Sequence, residues 1–177
     1  MLAFSSLLSL QGFAQDKDPV KVANKENDAK KLVDDDIADF LVKSADARMM
    51  DAQEGKLAVE KGTTQSMKDY GKLMLKDQAK LLAEIKKLAK KKNVSLPDGI
   101  SNKKEDGRED LKEKNGKEFD EKFIKMMIID HERDIKLFEE AAEHRDAEVS
   151  AFAKKYLPMI QSHLSKINKI KQSASGS

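Results

Sequence analysis

The sequence predicts an all-α protein, an antiparallel four-helix bundle with a long crossover between its second and third helices. Three observations carry that expectation. Charged residues make up 37% of the chain and aromatics 5%, with no Trp, which suits amphipathic helices and not a strand-rich fold. Apolar residues recur at three-to-four spacing over four stretches, as one buried helical face requires. The two middle stretches are separated by roughly two dozen residues of broken pattern, too many for an ordinary helix hairpin. The 177 residues suffice for one domain with a sizeable core.

Residues 1–15 contain no charged residue and carry Leu2, Phe4, Leu7, Leu8 and Leu10. Gly12 and Ala14 leave small residues three and one positions before a cut. The stretch reads as the apolar region and cleavage site of a signal peptide whose basic leader is missing. A short buried helix is the alternative. An exported, periplasmic protein is therefore expected, with no membrane-spanning segment after cleavage, since no apolar run is long enough. Residues 16–34 are polar and aperiodic and read as a linker. The domain occupies 35–172, and 173–177 form a frayed tail. The absence of Cys excludes disulfides, thiolate metal sites, Cys nucleophiles and a lipoprotein anchor. A net charge of +2 supplies no global field for nucleic acid or anionic membranes.

The first long helix is expected over 36–61, with Asp36 as N-cap and Gly62 as the glycine that ends it. Its stripe includes Ile37, Phe40, Leu41, Arg48, Gly55 and Val59. The second is expected over 64–92, with Met67, Tyr70, Met74, Leu81 and Ile85 on one face and Gln78 among them. Its lysine-rich end is a solvated C-terminus. Between 93 and 116, Pro97, Gly99, Gly107 and Gly116 break the pattern. Two hairpins joined by such a crossover make the ferritin-like arrangement. The third helix is expected over 117–144, with Asn115 and Glu118 resembling a capping box and His144 at the surface. The fourth follows over 146–171, with Asp146 as N-cap and a bend at the internal Pro158.

Near the middle of these helices lie Asp51, Glu54, Gln78, Asp130, His131, Asp134 and His163. At about 1.5 Å per residue they can converge in one layer. A methionine sits one turn before a polar residue in each helix: Met50 and Glu54, Met74 and Gln78, Met127 and His131, Met159 and His163. Two readings stand. In one, the belt binds a transition metal, since imidazole suits Cu, Zn or Fe and thioether selects Cu(I). In the other, it is a metal-free network in which a carboxylate holds each imidazole and the methionines fill the core. A di-iron carboxylate site needs two Glu-x-x-His motifs. Ile128 and Ile160 stand where those glutamates belong, so redox enzyme chemistry is not expected.

The segments Asp39–Asp46, Gly55–Ala58, Tyr70–Met74 with Asp77, Asp130–Asp134 with Phe138-Glu139, and Leu157-Pro158 with His163-Leu164 resemble a bacterial family named domain of unknown function 4142. The resemblance covers about residues 35–170 and implies an exported protein with a ferritin-like bundle. It also implies an Asp-His pair on the second helix, where this chain reads Asp77-Gln78; if the family's site holds metal through three histidines, this chain, with one imidazole fewer, is expected to bind it more weakly or not at all. The family carries no assigned activity. The expected partners are a metal ion, another envelope protein or a second copy of the chain.

Overall fold

Six helices and no strands form among the described residues, 18–30 and 33–175, of the computed structural model. They are α1 Pro19–Asp28, α2 Asp35–Lys61, α3 Gln65–Lys91, α4 Asn102–Glu113, α5 Gly116–Ala142 and α6 Ala147–Ser175. The proposed leader, 1–15, lies outside the described residues, as do 176–177. No described helix is long and apolar enough to cross a membrane.

The four long helices follow the apolar stripes. α2 packs along α3 and α5 along α6, while α2 also meets α5 and α3 meets α6. Two apolar clusters form. One centres on Leu41, Ile85, Phe138 and Ile160; the other centres on Met67, Met74, Phe119, Phe123 and Met127. α2 and α3 approach closely at paired glycines. A Cβ on Gly71 would lie 2.5 Å from the Gly55 carbonyl oxygen, and one on Gly55 would lie 2.9 Å from the Gly71 carbonyl oxygen.

Several local expectations are corrected. Asp34, not Asp36, caps α2, accepting from the amides of Asp36 and Ile37 at 3.1 and 3.3 Å. Gly62 has φ −55°, so it is not a left-handed terminator; a Cβ there would sit 2.6 Å from the Ala58 carbonyl oxygen. The capping box at Asn115 does not form. Instead Gly116 turns the chain at φ +56°, and the Asn115 amide donates back to the Glu113 carbonyl at 3.3 Å. His144 is half-buried, and its Nδ1 accepts from the Asp146 amide at 3.0 Å.

Two further helices occupy spans expected to be irregular. α1 lies inside the supposed linker and is fixed at both ends. Asp18 caps it, and Asn27 exchanges two hydrogen bonds with the Ser95 backbone, at 2.9 and 2.7 Å. α4 lies inside 93–116, the segment expected to be an irregular crossover. It buries only Leu111, so it has no apolar stripe to reveal it. Charged contacts hold it instead: Arg108 with Glu105 and Glu109 within the helix, and Lys104 to Asp46 of α2 at 3.3 Å. α6 continues beyond the expected end, so Ser173–Ser175 belong to the helix.

Candidate functional site

The gap between the two apolar clusters is filled by polar side chains that do not reach solvent. Arg48, Asp51, Glu54, Gln78, His131, Asp134 and His163 are each no more than 1% exposed. Burial of this kind is costly unless partners are found, and the partners divide the cluster into three parts.

The first part is organised by Arg48 of α2. Its Nη1 donates to Gln78 Oε1 at 3.0 Å. Its Nη2 donates to Asp134 Oδ2 of α5 and lies 3.2 Å from Asp51 Oδ2. Burial pulls the guanidinium below its usual range, and Asp51 and Asp130 oppose that pull; an arginine nonetheless stays charged. Gln78 and Asp134, expected as metal ligands, thus have oxygens engaged by a cation already built into the chain. The Gln78 amide also donates to Met74 Sδ at 3.6 Å.

The second part is the imidazole pair. His131 of α5 and His163 of α6 lie 5.6 Å apart, ring centre to ring centre, at 72°. His131 Nδ1 is 2.8 Å from the Met127 carbonyl. A carbonyl only accepts, so Nδ1 carries the proton and Nε2 is left with a lone pair. His163 Nε2 is 3.0 Å from Asp77 Oδ2 of α3, so Nε2 donates there and Nδ1 carries the lone pair. Both lone-pair nitrogens are buried without a hydrogen-bond partner. Burial lowers the pKa of His131 and pulls that of His163 down to about 4 against the Asp77 hydrogen bond. Both rings are neutral at pH 7, the form that ligates metal.

The third part is carboxylate. Asp51, Glu54 and Asp130 each present an oxygen, and these three oxygens lie within 4.8 Å of one another. Neither oxygen of Glu54 has a hydrogen-bond partner. Burial pushes the Glu54 carboxyl well above the usual carboxylate range, and Asp51 and Asp130 push it further. Asp130 is partly exposed and pairs outward with Arg133 at 2.5 Å. Burial raises its pKa, Arg133 opposes that rise, and Asp51 adds to it.

Arg48 and Asp77 were missing from the expected site. Arg48 stood in the apolar stripe of its helix, and a charged residue at stripe register with no apolar side chain in its place is the signal that could have found it. A family model described as a domain of unknown function, DUF4142, matches residues 22–170. The chain belongs to the DUF4142 family. The match spans α2 to α5 whole, all but the start of α1, and α6 as far as Ile170. No curated protein and no solved structure matches the chain. Within this DUF4142 chain, the Gln78 amide oxygen meets a guanidinium; a histidine at that position could accept there only through an unprotonated ring nitrogen.

Proposed function

We propose that this protein is an exported, ferritin-like four-helix bundle that binds a transition-metal ion between His131 and His163, without turnover. The observation that carries this reading is the tautomer pattern. A backbone carbonyl fixes one ring and a carboxylate the other, and each fixation leaves the opposite nitrogen bare, buried and unprotonated. Histidines that hold metal are oriented by the same kind of second hydrogen bond. Imidazole nitrogens suit Cu, Zn or Fe, and Met127 stands one turn before His131. The exported setting rests on the sequence of residues 1–15 alone.

Calorimetric titration with Cu(I), Cu(II), Fe(II) and Zn(II) tests the reading. The wild type should bind at least one ion more tightly than a His131→Ala, His163→Ala double variant. Equal affinity of the two proteins would end the proposal.

A second reading has its own observation. The Arg48 bonds to Gln78 and Asp134 tie α2 to α3 and α5, so the belt also serves as a metal-free polar network within a structural or protein-interaction module. On that reading alone, the double His variant loses thermal stability and metal changes neither protein.

A further inference from the structure

We propose that Asp51, Glu54 and Asp130 form an all-oxygen site for a hard divalent cation, Ca2+ or Mn2+, and that the Lys104 ammonium on α4 covers its mouth. The proposal does not require the imidazole pair to bind metal.

Three carboxylates in proximity are common without an ion, so geometry alone is insufficient. Glu54 supplies the second observation. It is fully buried, it belongs to the group of three converging oxygens, and neither of its oxygens meets any hydrogen-bond donor. A buried polar group with no partner is unfavourable, because it has given up its hydrogen bonds to water and gained none in return. A cation shared with Asp51 and Asp130 would remove that penalty.

The spacing admits such an ion. Ca2+ binds oxygen at about 2.3–2.6 Å, so two ligands of one ion can lie up to about 5 Å apart. Oxygens within 4.8 Å of one another meet that limit. Mg2+ demands near-octahedral geometry and gives up its waters reluctantly, which a buried carboxylate group suits less well. Hard oxygen donors also disfavour Cu and Zn relative to their imidazole neighbours.

Ion pairing singles out Glu54. Asp46 pairs with Lys104, Asp51 and Asp134 with Arg48, and Asp130 with Arg133. Among the described residues, Glu54 has no cation within ion-pair distance and no hydrogen-bond partner, so it is the carboxylate that a bound cation would serve.

Access comes from α4. A cavity of about 580 Å³ is bounded by Asp46 and Met50 of α2, Lys104 of α4, and Met126, Asp130 and Arg133 of α5. Asp130 thus belongs both to the carboxylate group and to the cavity wall. Lys104 reaches across to Asp46 at 3.3 Å with its side chain 18% exposed. Its charge also acts on Asp51 and Asp130, so it competes with an incoming cation until it swings aside.

The test uses the full chain, metal-stripped, with thermal unfolding followed across Ca2+ and Mn2+ titrations. The melting temperature should rise with one or both ions. Glu54→Gln, isosteric with a protonated carboxyl, should abolish the rise, and Lys104→Met should tighten binding about tenfold by removing a competing charge. The His131→Ala, His163→Ala variant should keep the rise. If Glu54→Gln does not fold by circular dichroism, Asp130→Asn, at a partly exposed position, makes the same comparison. No rise in the wild type, or an undiminished rise in the carboxylate variant, overturns the site. Loss of the rise in the double His variant reassigns the ion to the imidazoles and overturns it too. Unchanged affinity in Lys104→Met overturns the covering role.

Discussion

Arg48 Nη1 donates a 3.0 Å hydrogen bond to the amide oxygen of Gln78, and neither residue reaches solvent. A cation placed there is safe only while each acceptor stays in position. That dependence makes the pair the most sensitive point of the cluster.

Gln78→Leu keeps the volume and removes the acceptor. A buried, charged donor then loses its partner, so the variant should lose about 2–3 kcal/mol in urea denaturation. A loss below about 0.5 kcal/mol, typical of a surface change, would mean that Arg48 does not depend on this bond.

Arg48→Met removes the guanidinium and leaves Asp51 and Asp134 buried without it. Breaking a buried pair from one side costs about 3–5 kcal/mol. The deficit should shrink on acidification, because protonation relieves the stranded carboxylates. Denaturant midpoints at pH 7 and pH 5 would show whether it does.

Glu54 and the histidines give opposite pH signatures. The folded pKa of Glu54 lies above its ordinary value of 4.5, so the folded chain keeps a proton that the unfolded chain releases. Its contribution is full below pH 4.5 and declines, by about 1.4 kcal/mol per pH unit, as pH rises towards the folded pKa. Glu54→Gln should therefore gain on the wild type as pH increases above 4.5 in chelator-treated buffer; parallel stability curves would contradict this.

His163 is the reverse case. Its folded pKa, about 4, lies below the ordinary 6.5, so the unfolded chain takes up the proton first. Stability is full above pH 6.5 and falls as pH drops towards 4, by roughly 3 kcal/mol over that window. His163→Gln should flatten this acid limb, and a limb of unchanged depth would exclude His163 as its source.

Gly71→Ala should push α2 and α3 apart, since its new methyl would lie 2.5 Å from the Gly55 carbonyl oxygen. Overpacking of this kind costs about 1–3 kcal/mol. The loss should appear as a lower urea midpoint with an unchanged slope.

Legibility in the sequence follows how each residue is stabilised. α2, α3, α5 and α6 bury broad apolar faces, and their ends were readable to within one or two residues, apart from the extended tail of α6. α1 and α4 were not readable. α1 buries only Ala23 and Asn27, α4 only Leu111, and their anchors are hydrogen bonds and ion pairs to residues distant in sequence. In the belt, the burial of Gln78, His131 and His163 could be read from polar residues in apolar stripes, while Asp51 and Glu54 were placed by their level along the helix and Glu54 by its position one turn after Met50. Their division into a guanidinium network, an imidazole pair and a carboxylate group could not. It depends on Arg48, whose partners come from three helices, and spacing within one helix says nothing about its neighbours.

The reciprocal Asn27–Ser95 hydrogen bonds have a kinetic corollary. They staple the N-terminal helix to the segment that leaves α3, although 68 positions separate the two residues. The two stretches should open together as one cooperative unit, with matched amide exchange rates. Asn27→Ala should release both at once, long before the long helices begin to exchange.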